Sequence, residues 1–397
     1  MAKARDVGYK EKKPSPLSIG QTIFDFAVHP SEDLVVTGVI SGKINCHRYG
    51  LAENEHVWTV KPFLKSCRGI AFTPDGSGIY GVSKERTITL LDIHGKEIRT
   101  KTEAHENPLN SILCLNERMM ATGDDQGVIK IWDNRKQDAV MVYSEHEDYV
   151  ADMTFSQEHN TLVAVGGDGY LSTWDIRKPD VAAMSDHMED ELLSVALIKN
   201  GKKAVVGSQD GILSLWSWGD WGDYNDRMLG HPSSIDAICK LDEDTICTGS
   251  SDGLIRIVSI LPNQFHGIIG DHGEEMPIEH IRLTHDKKYM LSTGHDETLR
   301  FWDVAHLFEE GGDEEEEKEE EDEEDEEDEK DVEAKATFEA TEDQSKEDAD
   351  SDNDSDSDDS DDSDDSDKAS KKRRKKQNKQ EQQNRKTKKN TTFFSDL

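Results

Sequence analysis

Short apolar segments separated by turns of small residues recur along most of the chain. One such unit runs from Met119 to Asp133 (MMATGDDQGVIKIWD), with an apolar stretch, a turn rich in Gly and Asp, and a second stretch that closes on Trp-Asp. In residues 128–132 (VIKIW), the two-residue period of a β-strand puts Val128, Lys130 and Trp132 on one face and Ile129 with Ile131 on the other. The pattern therefore predicts pairs of antiparallel strands joined by tight turns.

The same unit occurs seven times at a nearly constant period. The other copies are Val35 to His47, Gly81 to Asp92, Val163 to Asp175, Val205 to Ser217, Thr248 to Ser259 and Met290 to Asp303. Their closing positions, with spacings of 44, 41, 42, 42, 42 and 44 residues, are His47, Leu91, Trp132, Trp174, Trp216, Val258 and Trp302. A period of about 40–45 residues with a terminal Trp-Asp resembles that of the WD repeats. We therefore predict an all-β, seven-bladed WD40 β-propeller.

Closure of the ring requires one more strand than the last repeat provides. After Trp302 and Asp303, only five residues precede a run of acidic residues, which is too short for a fourth strand. An unpaired sheet edge exposes free backbone groups, so propellers close their rings. We expect a segment near Leu17 and Ile19 to supply the outer strand of the last blade.

Histidines and turn aspartates also follow the repeat. In WD repeats, a histidine, a turn aspartate, a Ser or Thr and the closing Trp form a buried network, and the resemblance implies the same structural role here. The corresponding residues are His105, Thr122, Trp132, His146, Asp168, Trp174, His187, Asp210, Trp216, His231, Thr248, Asp252, Ser292, Asp296 and Trp302. Each of these histidines lies 27 to 29 residues before its closing position. We expect no repeat to be complete, since Gln126 replaces the aspartate of the third and Val258 the tryptophan of the sixth.

Charge divides the chain into regions. The whole sequence has 85 Asp and Glu against 47 Lys and Arg, a net charge of −38. Residues 309–367 contain 36 acidic and 4 basic residues, whereas residues 368–389 contain 12 basic and 1 acidic. Such segments have too few apolar side chains to fold alone. The predicted division is a basic leader (1–14), the propeller (15–308), a disordered acidic tail (309–367) and a basic nuclear-localisation segment ending in Phe-Phe (368–397).

The charged C-terminal region carries several candidate signals. Serines followed by aspartate are favoured by acidophilic kinases, and these candidate phosphorylation sites are Ser351, Ser355, Ser357, Ser360, Ser363 and Ser366. A basic run typical of nuclear import signals, which would also attract RNA nonspecifically, comprises Lys371, Lys372, Arg373, Arg374, Lys375 and Lys376. The terminal Phe393 and Phe394 form a candidate docking peptide. The acidic tail has three open roles: binding basic ribosomal proteins or histones, shielding basic patches of the propeller, or keeping the protein in solution.

Catalytic and membrane signals are missing from the sequence. It contains neither of the motifs GxxxxGK[ST] and HExxH, and no apolar stretch of the roughly 18 residues that cross a membrane. The first residues are rich in lysine and lack the apolar core of a secretory signal. We therefore expect a non-catalytic, intracellular protein, monomeric and without a cofactor or metal site.

Two linkers extend beyond the repeat pattern. Residues 217–227 (SWGDWGDYNDR) follow the fifth repeat, and residues 260–279 connect the sixth to the seventh. With Gly249 to Gly253, they resemble the WD repeat-containing protein 55 family. The resemblance implies a nucleolar scaffold for ribosomal RNA processing and large-subunit assembly, with pre-ribosomal assembly factors and basic ribosomal proteins as partners. Trp218 and Trp221 of the first linker either cover the edge of blade 5 or dock a partner.

Two further hypotheses concern binding surfaces. Propellers often bind partners on the face that carries the loops between strands, and the candidate contacts there are Arg68, Arg86, Tyr149, Gln209 and His295. The segments WDNR and WDIR, which end at Arg135 and Arg177, resemble the WDxR ending of propellers that bind a cullin-ligase adaptor. A substrate receptor of a cullin ubiquitin ligase is therefore the second functional hypothesis, and a chromatin protein that binds histones is the third.

Overall fold

The structure, a computed structural model, describes residues 13–273 and 276–308. These residues form 28 strands in seven four-stranded antiparallel sheets, which confirms the predicted all-β, seven-bladed propeller. The described range contains no helix with the length and hydropathy of a membrane span. Our predictions for the leader before residue 13, the acidic tail, its serines, the basic run and the terminal Phe393 and Phe394 lie outside the described residues.

The strands follow one another along the chain as a repeated meander. In chain order they are β1 (Leu17–Ser18), β2 (Ile23–Val28), β3 (Leu34–Val39), β4 (Ile44–Arg48), β5 (Glu55–Val60), β6 (Cys67–Phe72), β7 (Gly78–Ser83), β8 (Ile88–Asp92), β9 (Glu97–Lys101), β10 (Leu109–Cys114), β11 (Met119–Asp124), β12 (Ile129–Asp133), β13 (Met141–Tyr143), β14 (Val150–Ser156), β15 (Thr161–Gly166), β16 (Leu171–Asp175), β17 (Ala183–Met184), β18 (Leu192–Ile198), β19 (Lys203–Ser208), β20 (Leu213–Ser217), β21 (Asp226–Met228), β22 (Ile235–Lys240), β23 (Thr245–Ser250), β24 (Leu254–Ser259), β25 (Gln264–Asp271), β26 (Ile278–Leu283), β27 (Tyr289–Gly294) and β28 (Thr298–Asp303). A turn of 3₁₀-helix follows at Ala305–Leu307.

Six blades each use four consecutive strands, from β2–β5 for blade 1 to β22–β25 for blade 6. Within a blade the first strand lies at the centre of the ring and the fourth at its rim. The second strands are the most apolar, and β3 and β7 are buried along their whole length. Their burial has a simple cause, because neighbouring blades cover both faces of the sheet and select continuous apolar runs.

Blade 7 is closed by the N-terminal strand, as predicted. Strand β1 pairs antiparallel with β28, so that Leu17 lies opposite Leu299 and Ser18 opposite Thr298. The next amide, of Ile19, donates to the carbonyl of Glu297 at 3.0 Å. Leu17 is buried in the cluster between blades 7 and 1. The two ends of the propeller therefore share one sheet, and the last blade has no missing strand.

Hydrogen bonds between inner strands link neighbouring blades around a central channel of about 690 Å³. Each inner strand has a β-bulge near its start, which turns the following side chain toward the next blade. Asp25 accepts the amide of Ile70 at 2.8 Å, and Asp152 accepts the amide of Val195 at 3.0 Å. These carboxylates therefore hold blade 1 to blade 2 and blade 4 to blade 5.

Candidate interaction surface

Blade 4 contains a complete buried network. Because a carboxylate only accepts, His146 donates its Nδ1–H to Asp168 at 3.0 Å, and its Nε2 accepts the Ser172 hydroxyl at 2.7 Å. The same hydroxyl accepts the indole N–H of Trp174 at 2.8 Å. Burial raises the pKa of Asp168, but hydrogen bonds from the His146 imidazole and from the amides of Glu147 and Tyr170 outweigh burial and hold that pKa below its usual range. The four groups satisfy one another inside the blade.

Blade 3 is also complete, which corrects our expectation for Gln126. His105 lies 3.0 Å from Asp124 and 2.8 Å from Thr122, which also accepts the indole N–H of Trp132 at 2.8 Å. Asp124 is the last residue of β11, two positions before Gln126, and its other oxygen accepts two amides of the following turn. An aspartate at the strand end therefore reaches the same imidazole as one within the turn.

Blade 7 has a third complete network, through a histidine that the repeat spacing missed. His272 lies 3.3 Å from Asp296 and 2.7 Å from Ser292, and Ser292 accepts the indole N–H of Trp302 at 2.7 Å. His272 precedes Trp302 by 30 residues, just outside the spacing of 27 to 29 found elsewhere. The loop before blade 7 is longer, so a wider spacing would have found it. The expectation that no repeat is complete was wrong for three blades.

Blade 5 lacks the network, and our predictions for His187 and Asp210 were wrong. The imidazole of His187 is exposed and contacts the edge of Tyr170, with ring centroids 5.2 Å apart. Asp210 is exposed, and its amide donates to Asp190 at 2.8 Å. Trp216 still donates to a hydroxyl of its own strand, that of Ser214, at 3.2 Å. Only the tryptophan half of the network therefore remains.

Blade 6 keeps half of the network in another form. His231 lies 2.8 Å from Thr248, but Asp252 binds the guanidinium of Arg256 instead of the imidazole. The Nδ1 atom of His231 is therefore buried without a partner among the described residues. Burial and the positive charge of Arg256 lower the pKa of His231 to about 4.

The candidate contacts lie on the face that carries the loops between blades and the turns between second and third strands, called here the upper face. Three of them already have partners. Arg68 donates to both oxygens of Asp125 at 2.8 and 2.9 Å, which links blades 2 and 3. Tyr149 donates to Glu191 at 3.2 Å, which links blades 4 and 5. His295 lies 2.7 Å from the carboxylate of Glu279, which raises the pKa of the imidazole.

The other two upper-face candidates are Arg86 and Gln209. The side chain of Arg86 is 42% exposed and lies 3.8 Å from Glu103. Gln209 is exposed in the turn between β19 and β20, and its amide donates to the carbonyl of Glu191 at 3.0 Å. Arg86, Gln209 and His295 therefore keep side-chain groups in solvent, whereas Arg68 and Tyr149 hold neighbouring blades together.

Arg135 and Arg177 lie on the opposite, lower face. Each guanidinium binds the aspartate of its own WDxR segment, Asp133 or Asp175, through two nitrogens. Their side chains are nevertheless 62% and 64% exposed. The aspartate therefore fixes the direction of each guanidinium while leaving much of its surface in solvent.

The aromatic linker after blade 5 packs into the molecule. Trp221 is 8% exposed and meets Trp218 edge to face, with ring centroids 5.1 Å apart. Trp218 stacks on His159 of blade 4 at 4.5 Å. Both indoles belong to the apolar cluster between blades 4 and 5. Of the two roles considered for this linker, the geometry supports covering the blade.

Comparison with known proteins places the fold in a family. The sequence profile of the WDR55 family matches residues 14–307. The chain belongs to the WDR55 family. It is 46% identical over 300 residues to WD repeat-containing protein 55 of Danio rerio, covering 75% of this chain and 77% of the relative. The corresponding human protein is 35% identical over 284 residues, covering 71% and 74%.

The WDR55 relatives extend to fungi. WD repeat-containing protein JIP5 of Cryptococcus neoformans is 39% identical over 302 residues, which cover 72% of this chain and 80% of the relative. These matches confirm the resemblance that the two linkers indicate. The profile begins just before β1 and ends within the 3₁₀ turn. The WDR55 profile thus spans the whole ring, including its closing strand.

Proposed function

We propose that this protein is a non-catalytic scaffold of the nucleolus that acts in ribosomal RNA processing and large-subunit assembly. The observation that carries the scaffold role is the state of the recurring histidines. His105, His146 and His272 are buried, and both nitrogens of each already have a partner inside a blade. Their chemistry stabilises the ring and leaves its surface free for binding.

Family membership and sequence support the proposed cellular setting. The WDR55 resemblance implies ribosome production, and the basic run at residues 371–376 is typical of nuclear import signals. Residues 13–308 carry 27 Lys and Arg against 45 Asp and Glu, and residues 309–367 add 36 acidic residues. Both regions complement basic partners such as ribosomal proteins.

Depletion of the protein followed by a pulse-chase of ribosomal RNA tests this proposal. We expect precursors of large-subunit RNA to accumulate and the intact protein to restore their processing. Affinity purification of the full chain is expected to recover pre-ribosomal proteins. A chain in which the six basic residues at 371–376 are replaced by glutamine is expected to leave the nucleus and to fail in rescue. Normal precursor processing after depletion would contradict the proposal.

The exposed arginines of the WDxR segments favour one alternative, a substrate receptor of a cullin ligase. Arg135 and Arg177 present guanidinium groups of fixed direction on one face, as a docking contact requires. The double variant Arg135→Ala, Arg177→Ala is expected to lose the ligase adaptor in a pull-down from cells if this alternative holds. Arg118→Ala, an exposed arginine beside the same turn of blade 3, is the matched control. Equal recovery of the adaptor by all three proteins excludes the alternative.

A further inference from the structure

We propose that the upper face of blades 1 and 2 binds an acidic peptide of a partner protein that contains a large apolar side chain. This inference rests on the proposed scaffold role and names one class of partner for it. The surface, called here the blade 1–2 patch, consists of Ile40, Lys43, Lys61, Leu64, Lys65, Lys84 and Arg86.

The apolar centre of the blade 1–2 patch is unusually accessible. Leu64 is 86% exposed, more than any other large apolar residue in the described part of the chain, and Ile40 is 48% exposed. A single exposed leucine is ordinary on a protein surface. A pair of aliphatic side chains surrounded by lysines has the apolar core and polar rim of a binding site.

The loop that carries Leu64 is held firmly. Phe63, only 1% exposed, anchors it in the core, and the amide of Phe63 donates to the carbonyl of Gly42 in blade 1 at 3.3 Å. The amide of Leu64 donates to the carboxylate of Glu85 in blade 2, with both oxygens at 3.2 Å. The backbone at Leu64 therefore has a fixed position before any partner arrives, which reduces the backbone entropy lost on binding.

The other blades show that the fold does not require a leucine here. Leu64 lies three residues before its inner strand, and the same position before blades 3, 4 and 5 holds Glu106, Glu147 and Glu189. Those loops carry only negative formal charge. Residues 103–108 contain two Asp or Glu, residues 144–149 contain three and residues 186–191 contain four, and none of these ranges contains Lys or Arg. Blade 2 thus replaces a carboxylate with an aliphatic side chain that stays in solvent.

The charge of the blade 1–2 patch also opposes that of its surroundings. Residues 61–101 contain eight Lys and Arg against four Asp and Glu, although residues 13–308 are strongly acidic. No ion pair among the described residues involves the patch lysines, which are Lys43, Lys61, Lys65 and Lys84. Backbone hydrogen bonds join the segments that carry them, since the amide of Lys84 donates to Ser66 at 3.0 Å. The four lysines therefore lie on one face without an ion-pair partner among the described residues, and Glu85 is the carboxylate beside Leu64.

The chemistry of the blade 1–2 patch favours an acidic peptide over RNA. Single-stranded RNA is bound by a basic groove together with exposed aromatic rings on which its bases stack. The patch has no aromatic side chain in solvent, because Phe63 is buried beneath it. An aliphatic centre with lysines around it matches a Phe, Leu or Ile side chain flanked by carboxylates.

Fluorescence anisotropy with the full-length protein tests this inference. The probe is a labelled 12-residue peptide of Glu and Asp with a central Phe-Leu, and a second peptide has Ala-Ala in place of Phe-Leu. We expect the first peptide to bind at least tenfold more tightly than the second. Binding of the first is expected to weaken at least tenfold between 0.1 and 0.5 M salt, because ions screen the lysines.

Two variants assign the binding to this surface. Leu64→Glu introduces the residue found in the neighbouring blades, and Lys61→Glu with Lys65→Glu reverses the rim charge. Each is expected to weaken the first peptide at least tenfold with an unchanged unfolding midpoint. Leu229→Glu, at a 60% exposed leucine in the loop before blade 6, is the matched control for Leu64. Lys136→Glu with Lys202→Glu, at two exposed lysines elsewhere, is the control for charge.

Several outcomes overturn the inference. Failure of the wild-type chain to bind the first peptide would do so, including the case in which its own acidic residues occupy the patch. Equal affinity of the patch variants and their controls would move the site elsewhere. The surface would be an RNA site if a uridine 12-mer displaces the peptide, binds more tightly than the peptide and keeps its affinity for the Leu64→Glu variant. If the wild-type protein does not bind the peptide but its depletion still disturbs RNA processing, the inference fails and the proposed function stands.

Discussion

Blades 4 and 5 are neighbours in the ring and solve the same stability problem differently. In blade 4, His146 joins Asp168, Ser172 and Trp174 in a fully paired network. In blade 5, His187 stands outside in solvent. His146 precedes its inner strand by four residues, whereas His187 precedes its own by five. The distance to the inner strand does not by itself decide this, since His272 precedes its own strand by six residues and keeps both partners.

Blade 5 has a cavity lined by His187, Asp210 and Ser214 at the network position, and aromatic side chains pack beside it. Trp216 meets Tyr224 edge to face at 6.2 Å, and the linker tryptophan Trp221 packs in the same cluster. A polar network requires every partner at its correct distance, whereas apolar burial tolerates variation in geometry. Blades 4 and 5 therefore show that a blade can be stabilised by a polar network or by aromatic packing.

The largest expected effect is on the aromatic side of this comparison. Trp221→Ala removes a large buried ring from blade 5 and is expected to lower the free energy of unfolding by about 4 kcal/mol. Trp218→Ala, at a partly buried neighbour, is expected to cost less than half as much. Urea unfolding of the full chain followed by tryptophan fluorescence measures both. Equal small losses would mean that the linker does not support the blade.

The next effect comes from the polar side. His146→Ala leaves Asp168 and Ser172 without their common partner and creates a cavity, so we expect a loss of about 3 kcal/mol. His187→Ala is the matched control in blade 5, and it is expected to change stability by less than about 0.5 kcal/mol. The same urea titration compares them. Similar losses for the two variants would refute the proposed difference between these blades.

The aspartate of blade 3 provides a smaller effect. Asp124→Asn keeps the shape of the side chain but removes the charge that binds His105, and we expect it to cost about 2 kcal/mol. Gln126→Ala, at the position where the repeat alignment places the aspartate, is expected to cost less than about 0.5 kcal/mol. Thermal unfolding at pH 7 distinguishes the two. A larger loss from Gln126→Ala would restore the alignment from sequence.

Blade 6 offers the smallest effect, a pH dependence. The pKa of His231 is about 4 in the folded protein and 6.5 when exposed, so below pH 6.5 the unfolded chain binds more protons. Stability from the neutral imidazole is therefore present at pH 7 and is lost as pH falls, by roughly 1 kcal/mol between pH 7 and 5.5.

His231→Phe tests this dependence, and the chain offers a precedent for it. Phe63 takes the histidine position before blade 2, four residues ahead of the inner strand. Unfolding midpoints between pH 7 and 5.5 should fall less steeply in the variant than in the wild type. Parallel pH curves for the two proteins would show that His231 is not the titrating group.

Much of the fold follows from the sequence alone, because its evidence is repeated. Seven units with one period predict seven sheets, and the missing strand after Asp303 predicts the closure by Leu17. Apolar alternation is a local property of each strand, so it does not depend on the rest of the chain. The network was only partly predictable, since His105 and His146 keep the common spacing whereas His272, Asp124 and Ser172 do not.

Only the tertiary structure decided the features that depend on loop geometry. Loop lengths vary by one or two residues between repeats, so the distances that bring His272 and Asp124 into networks and exclude His187 cannot be read from spacing. The burial of Trp221 depends on contact with blade 4, and the blade 1–2 patch gathers side chains from three separate segments. Strand periodicity is set by neighbours along the chain, whereas hydrogen bonds and surface charge depend on which segments the closed ring brings together.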